Sequence, residues 1–330
     1  MAGVQGAALA VAVSNAGGLG SLPAAMLSLE QLASELAAIK AGTDKPYNVN
    51  FFCHTPPVPD AAREAAWRNT LAPYYAEFGI DPASIPAGAG RNPFAHAAAD
   101  VLEKFKPAVV SFHFGLPTRE LLARVKAWGA KVLSSATTVA EAKWLEAHGA
   151  DAIIAQGLEA GGHRGMFLTD DLTTQVGTFA LLPQIVRAVN VPVIAAGGIA
   201  DAAGVRAAMQ LGAAGVQIGT TYMLCDEATT SPMHRAALRS DAAAHTALTN
   251  LFTGRPARGI VNRLMRELGA INPAAPAFPL ATAGIAPLRA KAEAAVDKAR
   301  NGDFSPLWSG QNVSGCKAVG AAQLTRELAG

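Results

Sequence analysis

One pattern constrains this chain more than any other. Short, almost wholly apolar runs alternate with longer stretches rich in Ala, Leu, Glu and Lys. The runs are Leu19–Leu22, Tyr47–Phe52, Ala108–Phe112, Lys131–Ser134, Ala152–Ala155, Val191–Ala195 and Gly215–Ile218. Being apolar at successive positions, they read as strands buried on both faces, as in a parallel sheet covered by helices. Leu29–Ala41, Thr118–Trp128, Val139–His148, Phe179–Val189 and Ala202–Leu211 read as the helices between them. Repeated βα units leave two α/β architectures, an open doubly wound sheet or a closed barrel. The run count, with an eighth hinted at by Met1–Val4, favours the TIM (β/α)8 barrel. So does the lack of a dinucleotide fingerprint: Gly17-Gly18-Leu19-Gly20 has the wrong spacing and precedes a strand. A barrel strand needs about five residues. Only Met1–Val4 stand before the first helix, so the first strand is expected to be truncated, with Met1 internal to it.

Two stretches break the alternation. His54–Asn92, rich in proline and aromatics, reads as an insertion after the third strand containing one helix. The region after Ser231 shows no clear strand and reads as a helical extension. The expected division is a barrel of residues 1–53 and 93–230, with 54–92 and 231–330 as an accessory region over its C-terminal mouth, where barrel enzymes keep their loops. Trp67, Tyr74 and Tyr75 either pack that insertion or line a pocket, packing being the better reading. Arg255, Arg258, Arg263 and Arg266, at near-helical spacing, read as a solvated face or a clamp on a carboxylate.

A chain that is 51% hydrophobic and 16% charged can bury a large core. A net charge of +2 with no basic block gives no footprint for nucleic acid or an anionic membrane. Cys53, Cys225 and Cys316 are odd in number and form no CxxC, so neither a disulfide framework nor a metal site is expected. Ala7–Val13 is too short to span a membrane and lacks the basic flank of a signal peptide. The cytoplasm is the expected compartment, and a monomer or homodimer the expected state.

The chemistry concentrates at strand ends. Ala152–Ala155 runs into Gln156-Gly157-Leu158-Glu159-Ala160-Gly161-Gly162-His163-Arg164-Gly165, a glycine-rich turn presenting one histidine. Glycines let backbone approach a ligand, and an imidazole there can exchange a proton near neutral pH. The bland alternative is a structural histidine in a glycine turn. The next two strands end in Ala196-Gly197-Gly198-Ile199 and Gln217-Ile218-Gly219-Thr220, each leading into a helix. Such junctions bind phosphate through backbone N–H groups, though tight turns need glycine anyway. Asn50, His113, Ser134, Ser135, Thr137 and Gln156 put further polar groups at the same mouth.

With Ser14-Asn15-Ala16-Gly17-Gly18-Leu19-Gly20, Asn50-Phe51-Phe52, Phe112-His113-Phe114-Gly115-Leu116-Pro117, Gly254-Arg255-Pro256-Ala257-Arg258 and Trp308-Ser309-Gly310-Gln311, these motifs span the chain. It resembles the nitronate monooxygenases, formerly 2-nitropropane dioxygenases, of the first class. The resemblance implies FMN across the barrel mouth, its phosphate held by Gly197, Gly198, Gln217, Ile218, Gly219 and Thr220. It implies that Asn50, Ser134, Gln156 and Gly161 contact the rest of the cofactor, as does the backbone of Met1, Ala2 and Gly3. His163 is then the catalytic residue and His113 a substrate-binding one. The implied reaction takes an alkyl nitronate such as propionate 3-nitronate and O2 to a carbonyl compound and nitrite or nitrate. The alternatives are a flavin-dependent enoyl-acyl-carrier-protein reductase using NAD(P)H, and a non-catalytic flavin-binding barrel.

Overall fold

The computed structural model describes residues 3–85, 91–295 and 302–330. Seven strands hydrogen-bond in parallel: β1 (Gly20–Pro23), β2 (Tyr47–Phe52), β3 (Val109–His113), β4 (Lys131–Ala136), β5 (Ala152–Gln156), β7 (Val193–Ala196) and β8 (Gly215–Gln217), in that order. Helices separate them: α1 (Ala7–Asn15) before β1, α2 (Leu29–Gly42), α3 (Ala61–Glu77), α4 (His96–Phe105), α5 (Arg119–Ala127), α6 (Val139–Ala147), α7 (Thr178–Ala188) and α8 (Ala202–Gln210). The result is the barrel architecture that the alternation predicts. Gly3 and Val4 form a turn and a bend, so no eighth strand forms among the described residues, and Met1 and Ala2 lie outside them.

Side-chain alternation sorts each strand into two faces. Val49, Phe51, Val110 and Phe112 pack under α2, α4 and α5 in one apolar core. Asn48, Asn50 and Ser111 point the other way and bond to one another: Asn48 Nδ2 and Asn50 Nδ2 donate to Ser111 Oγ at 2.8 and 2.9 Å. The registers Asn48↔Val109 and Asn50↔Ser111 bring these groups level. On β8, Val216 and Ile218 join the helix-side cores while Gln217 is exposed. The helices start where the sequence offers caps: Ser28 and Gln31 form a capping box on α2, and Thr118, Thr138 and Asp201 accept from the first turns of α5, α6 and α8.

The region after Ser231 differs from expectation. It holds α9 (Pro232–Leu238), α10 (Arg263–Leu268), α11 (Ala281–Glu293) and α12 (Ala321–Ala329), but also two strands, β9 (Thr246–Thr249) and β10 (Ala257–Ile260). These pair antiparallel and extend onto β6 (Gly162–His163), the strand that follows the β5 turn. Strands of four residues, one of them containing Arg and Gly, carry too little apolar pattern to show in a sequence. Placing β10 in a sheet also overturns the solvated-face reading for Arg258, which is buried and bonds to Leu158 O and Thr246 Oγ1, while Arg266 is exposed. Only Arg263 behaves as a carboxylate clamp, holding Glu77 and Glu267.

The insertion and the C-terminal region share one core. Trp67, Leu71, Tyr74 and Tyr75 of α3 pack against Leu251, Phe252, Leu264, Met265, Ile285, Leu288 and Phe304. Trp67 Nε1 donates to Ala281 O and Tyr75 OH to Gly284 O, so these aromatics are structural. α12 instead packs on α1, at the flank of the barrel. Among the described residues no helix is long and apolar enough to cross a membrane.

Candidate active site

The turn after β5 is held from several sides. A Cβ on Gly161 would lie 2.5 Å from Gly310 N, so only glycine lets the 308–311 strap cross here. Gly162 has φ +74°, a left-handed conformation that favours glycine, and nothing within 4 Å of where its Cβ would be. Arg164, fully buried, donates to Gln175 Oε1, Gly157 O and Gln156 O at 2.7–2.9 Å. Burial lowers its pKa to about 10.

His163 emerges from this frame with 9% exposure. Its backbone carbonyl accepts from His113 Nε2 and from Gln156 Nε2, each at 3.0 Å. Its ring Nε2 lies 2.9 Å from Thr253 Oγ1. Burial, reinforced by Arg91, His113, Arg255 and His54, pushes the imidazolium well below the usual histidine range, so His163 is neutral at pH 7.

His113 stands at the end of β3, where its sequence position puts it, but its nitrogens are spent within the protein. A carbonyl only accepts, so Nε2 carries the proton that meets His163 O. Nδ1 then accepts from Ser135 Oγ at 3.0 Å. Burial lowers its pKa to about 3. Gln156 is spent as well: its amide bridges His163 O and Gly165 N. Ser134 Oγ is bonded to Phe112 O and Gly115 O. His113 and Gln156 thus brace the turn, and Ser134 braces the end of β3. Asn50 lies with Asn48, which the motif search missed, on the inner face of β2.

Gly197 and Gly198, at φ +120° and +73°, end β7 beside Gln217, and the register Ala196↔Gln217 sets the two junctions side by side. Asn312 Nδ2 binds Gly198 O. Among the described residues, no acceptor takes the N–H of Gly198, Gly219 or Thr220. Unspent donors converging from adjacent strand ends fit a phosphate. Ile218 turns its side chain to the helix layer, so only its backbone faces this cradle. Gly3, also at positive φ, lies in the N-terminal turn.

Aromatic rings wall the space around His163: Phe278 at 5.3 Å, Trp308 at 5.6 Å, and Phe52 and Phe114 at 6.0 Å between centroids. His54 adds its ring edge to Phe278 at 4.8 Å, donates Nε2–H to Arg91 O, and keeps a buried Nδ1 without a partner. Two guanidiniums flank the wall, Arg255 at 4.2 Å over Phe114 and Arg91 at 5.8 Å over Phe278. Arg255 also donates to Met166 O, while its Nε is buried and unpartnered. Neither forms an ion pair among the described residues. No sequence motif marks His54, Arg91, Thr253 or Phe278, because each belongs to a segment outside the βα pattern. Only the quoted Arg255 and Trp308 motifs pointed that way.

The whole chain, residues 1–330, matches the family model described as nitronate monooxygenase. The nitronate monooxygenase of Pseudomonas aeruginosa is 42% identical across 99% of this chain and 93% of its own length. That of Paraburkholderia phytofirmans is 43% identical across 99% and 89%. Among solved structures, the nitroalkane oxidase from Streptomyces ansochromogenes superimposes with a TM-score of 0.89 at 38% identity, covering 100% of this chain and 92% of that one. FabK from Thermotoga maritima gives 0.70 at 26% identity, covering 99% and 89%.

Proposed function

Because the chain belongs to the nitronate monooxygenase family, and is thus an enzyme acting on small molecules, we propose that it oxidises alkyl nitronates with bound FMN and O2. The products are a carbonyl compound and nitrite or nitrate. The observation that carries this reading is the juxtaposition of an open phosphate cradle at Gly198, Gly219 and Thr220 with a neutral histidine walled by aromatics and by two arginines that form no direct ion pair among the described residues. Those free N–H groups would hold the FMN phosphate, with Gly197 and Gln217 beside it. Asn50, through its unspent carbonyl oxygen, and the backbone at Gly161 would meet the remainder. Ser134 and Gln156 act one step back, holding the backbone that makes the contact. When bound there, FMN would supply the redox capacity between substrate and O2.

The residues divide the remaining work. Arg91 and Arg255 supply positive charge in a low-dielectric wall, where it attracts an anion more strongly than in water. Neutral His163 cannot supply that charge. Its Nδ1 is suited instead to accept the α-proton of a nitroalkane, so the anion forms beside the two arginines. Phe52, Phe114, Phe278 and Trp308 keep water from this space. His113 and Gln156 fix the backbone of His163 and thereby its aim.

Substitution tests the assignment. His163→Asn should leave the protein yellow, with FMN content unchanged, and cut nitroalkane turnover by about ten- to ten-thousand-fold, the range expected for a lost general base. Turnover on a preformed nitronate should fall less. Wild-type rates on both substrates in the variant, measured by oxygen uptake, would remove His163 from the mechanism.

A further inference from the structure

The contact between His163 and Thr253 decides which ring nitrogen does the chemistry. Thr253 is 2% exposed and sits in the turn between β9 and β10. Its hydroxyl touches two groups, His163 Nε2 at 2.9 Å and Arg255 O at 3.4 Å. A hydroxyl has one proton to give. Among the described residues Arg255 O has no other donor, and a carbonyl cannot donate. Giving the proton to Arg255 O satisfies every group: Thr253 Oγ1 then accepts from His163 Nε2–H. Giving it to His163 would leave Arg255 O without a donor among the described residues. His163 Nδ1 makes no hydrogen bond among the described residues and, unlike Nδ1 of His54, is not sealed from solvent-sized space.

We propose that Thr253 is a positioning residue that locks His163 as the Nε2–H tautomer, leaving the Nδ1 lone pair as the proton acceptor at the reaction centre. The chain of donors runs His163 Nε2–H to Thr253 Oγ1, then Thr253 O–H to Arg255 O. It ties the orientation of the base to the turn that also carries the Arg255 guanidinium over Phe114. Gly254, at φ +89°, keeps this turn tight: a Cβ there would lie 2.0 Å from Pro276 O. In the proton step, the Cα–H bond of a neutral nitroalkane breaks, the proton passes to Nδ1, and the pair of electrons stays on the nitronate. His163 becomes an imidazolium with Nε2–H still held by Thr253. The proposal rests on His163 being the base of the proposed reaction, but the tautomer can be read without any turnover.

The test is nitrogen NMR of holoenzyme carrying 15N-labelled histidine, with the His163 signals assigned by their loss in His163→Asn. Wild type should show a protonated Nε2 and a bare Nδ1. Thr253→Val, which keeps the side chain's shape without the hydroxyl, should show mixed tautomers, and Thr253→Ser should restore the single one. Nitroalkane kcat/KM should fall about two- to ten-fold in Thr253→Val, the worth of one buried hydrogen bond, and nitronate kcat/KM should fall less. Should Thr253→Val fold poorly, Thr253→Ala serves, and the wild-type spectrum alone still decides. A protonated Nδ1 in wild type, or an unchanged tautomer in the folded Thr253→Val protein, overturns the proposal. A wild-type protein with the expected tautomer but no oxygen uptake on any nitronate would instead overturn the proposed function and leave the tautomer lock standing.

Discussion

At the scale of the residue, the site is organised by what its polar atoms have already spent. His113 looks in sequence like a substrate ligand, yet Ser135 and the His163 carbonyl occupy its nitrogens. His163 keeps one nitrogen unengaged, and burial keeps it neutral. A pH effect on stability follows. The folded pKa values of His54, His113, His163 and His234 all lie below the usual 6.5, His113 at about 3 and His234 at about 4. Above pH 6.5 these rings are neutral folded or unfolded and contribute nothing. Below it the unfolded chain binds protons that the folded one cannot, so stability falls with pH, by at most about 1.4 kcal/mol per pH unit for each histidine. The melting temperature should therefore drop between about pH 6.5 and about 5.5, before the unfolded chain begins to protonate Glu103, Glu267 and Glu327, whose carboxyls the fold holds below their ordinary 4.5. A flat melting profile over that interval would mean the histidines titrate normally. For the same reason, initial rates on freshly prepared nitronate should show no inflection near pH 6.5. The groups facing His163 are the cations Arg91 and Arg255 and the neutral rings of His54 and His113, and no carboxylate is among its perturbers.

At the scale of the element, the two-residue strand β6 is the hinge between barrel and extension. It follows a barrel strand, yet pairs with β10 and not with the parallel sheet. The crossing of the 308–311 strap at Gly161 fixes that junction, since Gln311 N bonds to Glu159 O and Gly310 N to Thr220 Oγ1. The strap thus touches the His163 turn and the phosphate cradle together. Gly161→Ala would put a methyl 2.5 Å from Gly310 N and 2.6 Å from Ser309 C, backbone atoms that cannot swing aside. It should cost about 1–3 kcal/mol and weaken flavin retention. Thermal melts and a flavin titration check this, and unchanged FMN affinity would show that the strap has no part in the cradle. The barrel strands were legible in the sequence to within a residue or two because burial on both faces makes them continuous apolar runs. So were Gly161, Gly197 and Gly198, since their backbone demands glycine, and His163 shows as the one histidine of the glycine-rich turn. β9 and β10 were not legible, because Thr246-Ala247-Leu248-Thr249 and Ala257-Arg258-Gly259-Ile260 are amphipathic fragments whose pairing is set by distant β6.

At the scale of the whole molecule, half of the proposed reaction chamber comes from segments that have no barrel pattern. Barrel strands and turns provide His163, the phosphate junctions, Phe52 and Phe114. The insertion provides Arg91 with His54, and the extension provides Thr253, Arg255, Phe278 and Trp308. No spacing rule links residue 91 to residue 255, so their meeting at one histidine was invisible until the shared core was seen. That core is centred on α3, where Trp67, 1% exposed, donates to Ala281 O and lies against Gly284. Trp67→Ala empties the largest side-chain volume in it and removes the hydrogen bond to Ala281 O, at an expected cost of about 3–5 kcal/mol. The barrel's own cores, under α2, α4 and α5 and under α6 and α7, do not include Trp67. The phosphate cradle should thus survive, while Arg91, Thr253 and Phe278 lose their common support. The variant should keep FMN, melt earlier, and show a raised KM for nitronates as the chamber wall loosens. Urea unfolding followed by flavin fluorescence and by tryptophan fluorescence would separate the two parts. Equal loss of FMN and of substrate affinity would instead mean that barrel and extension hold the cofactor as one unit.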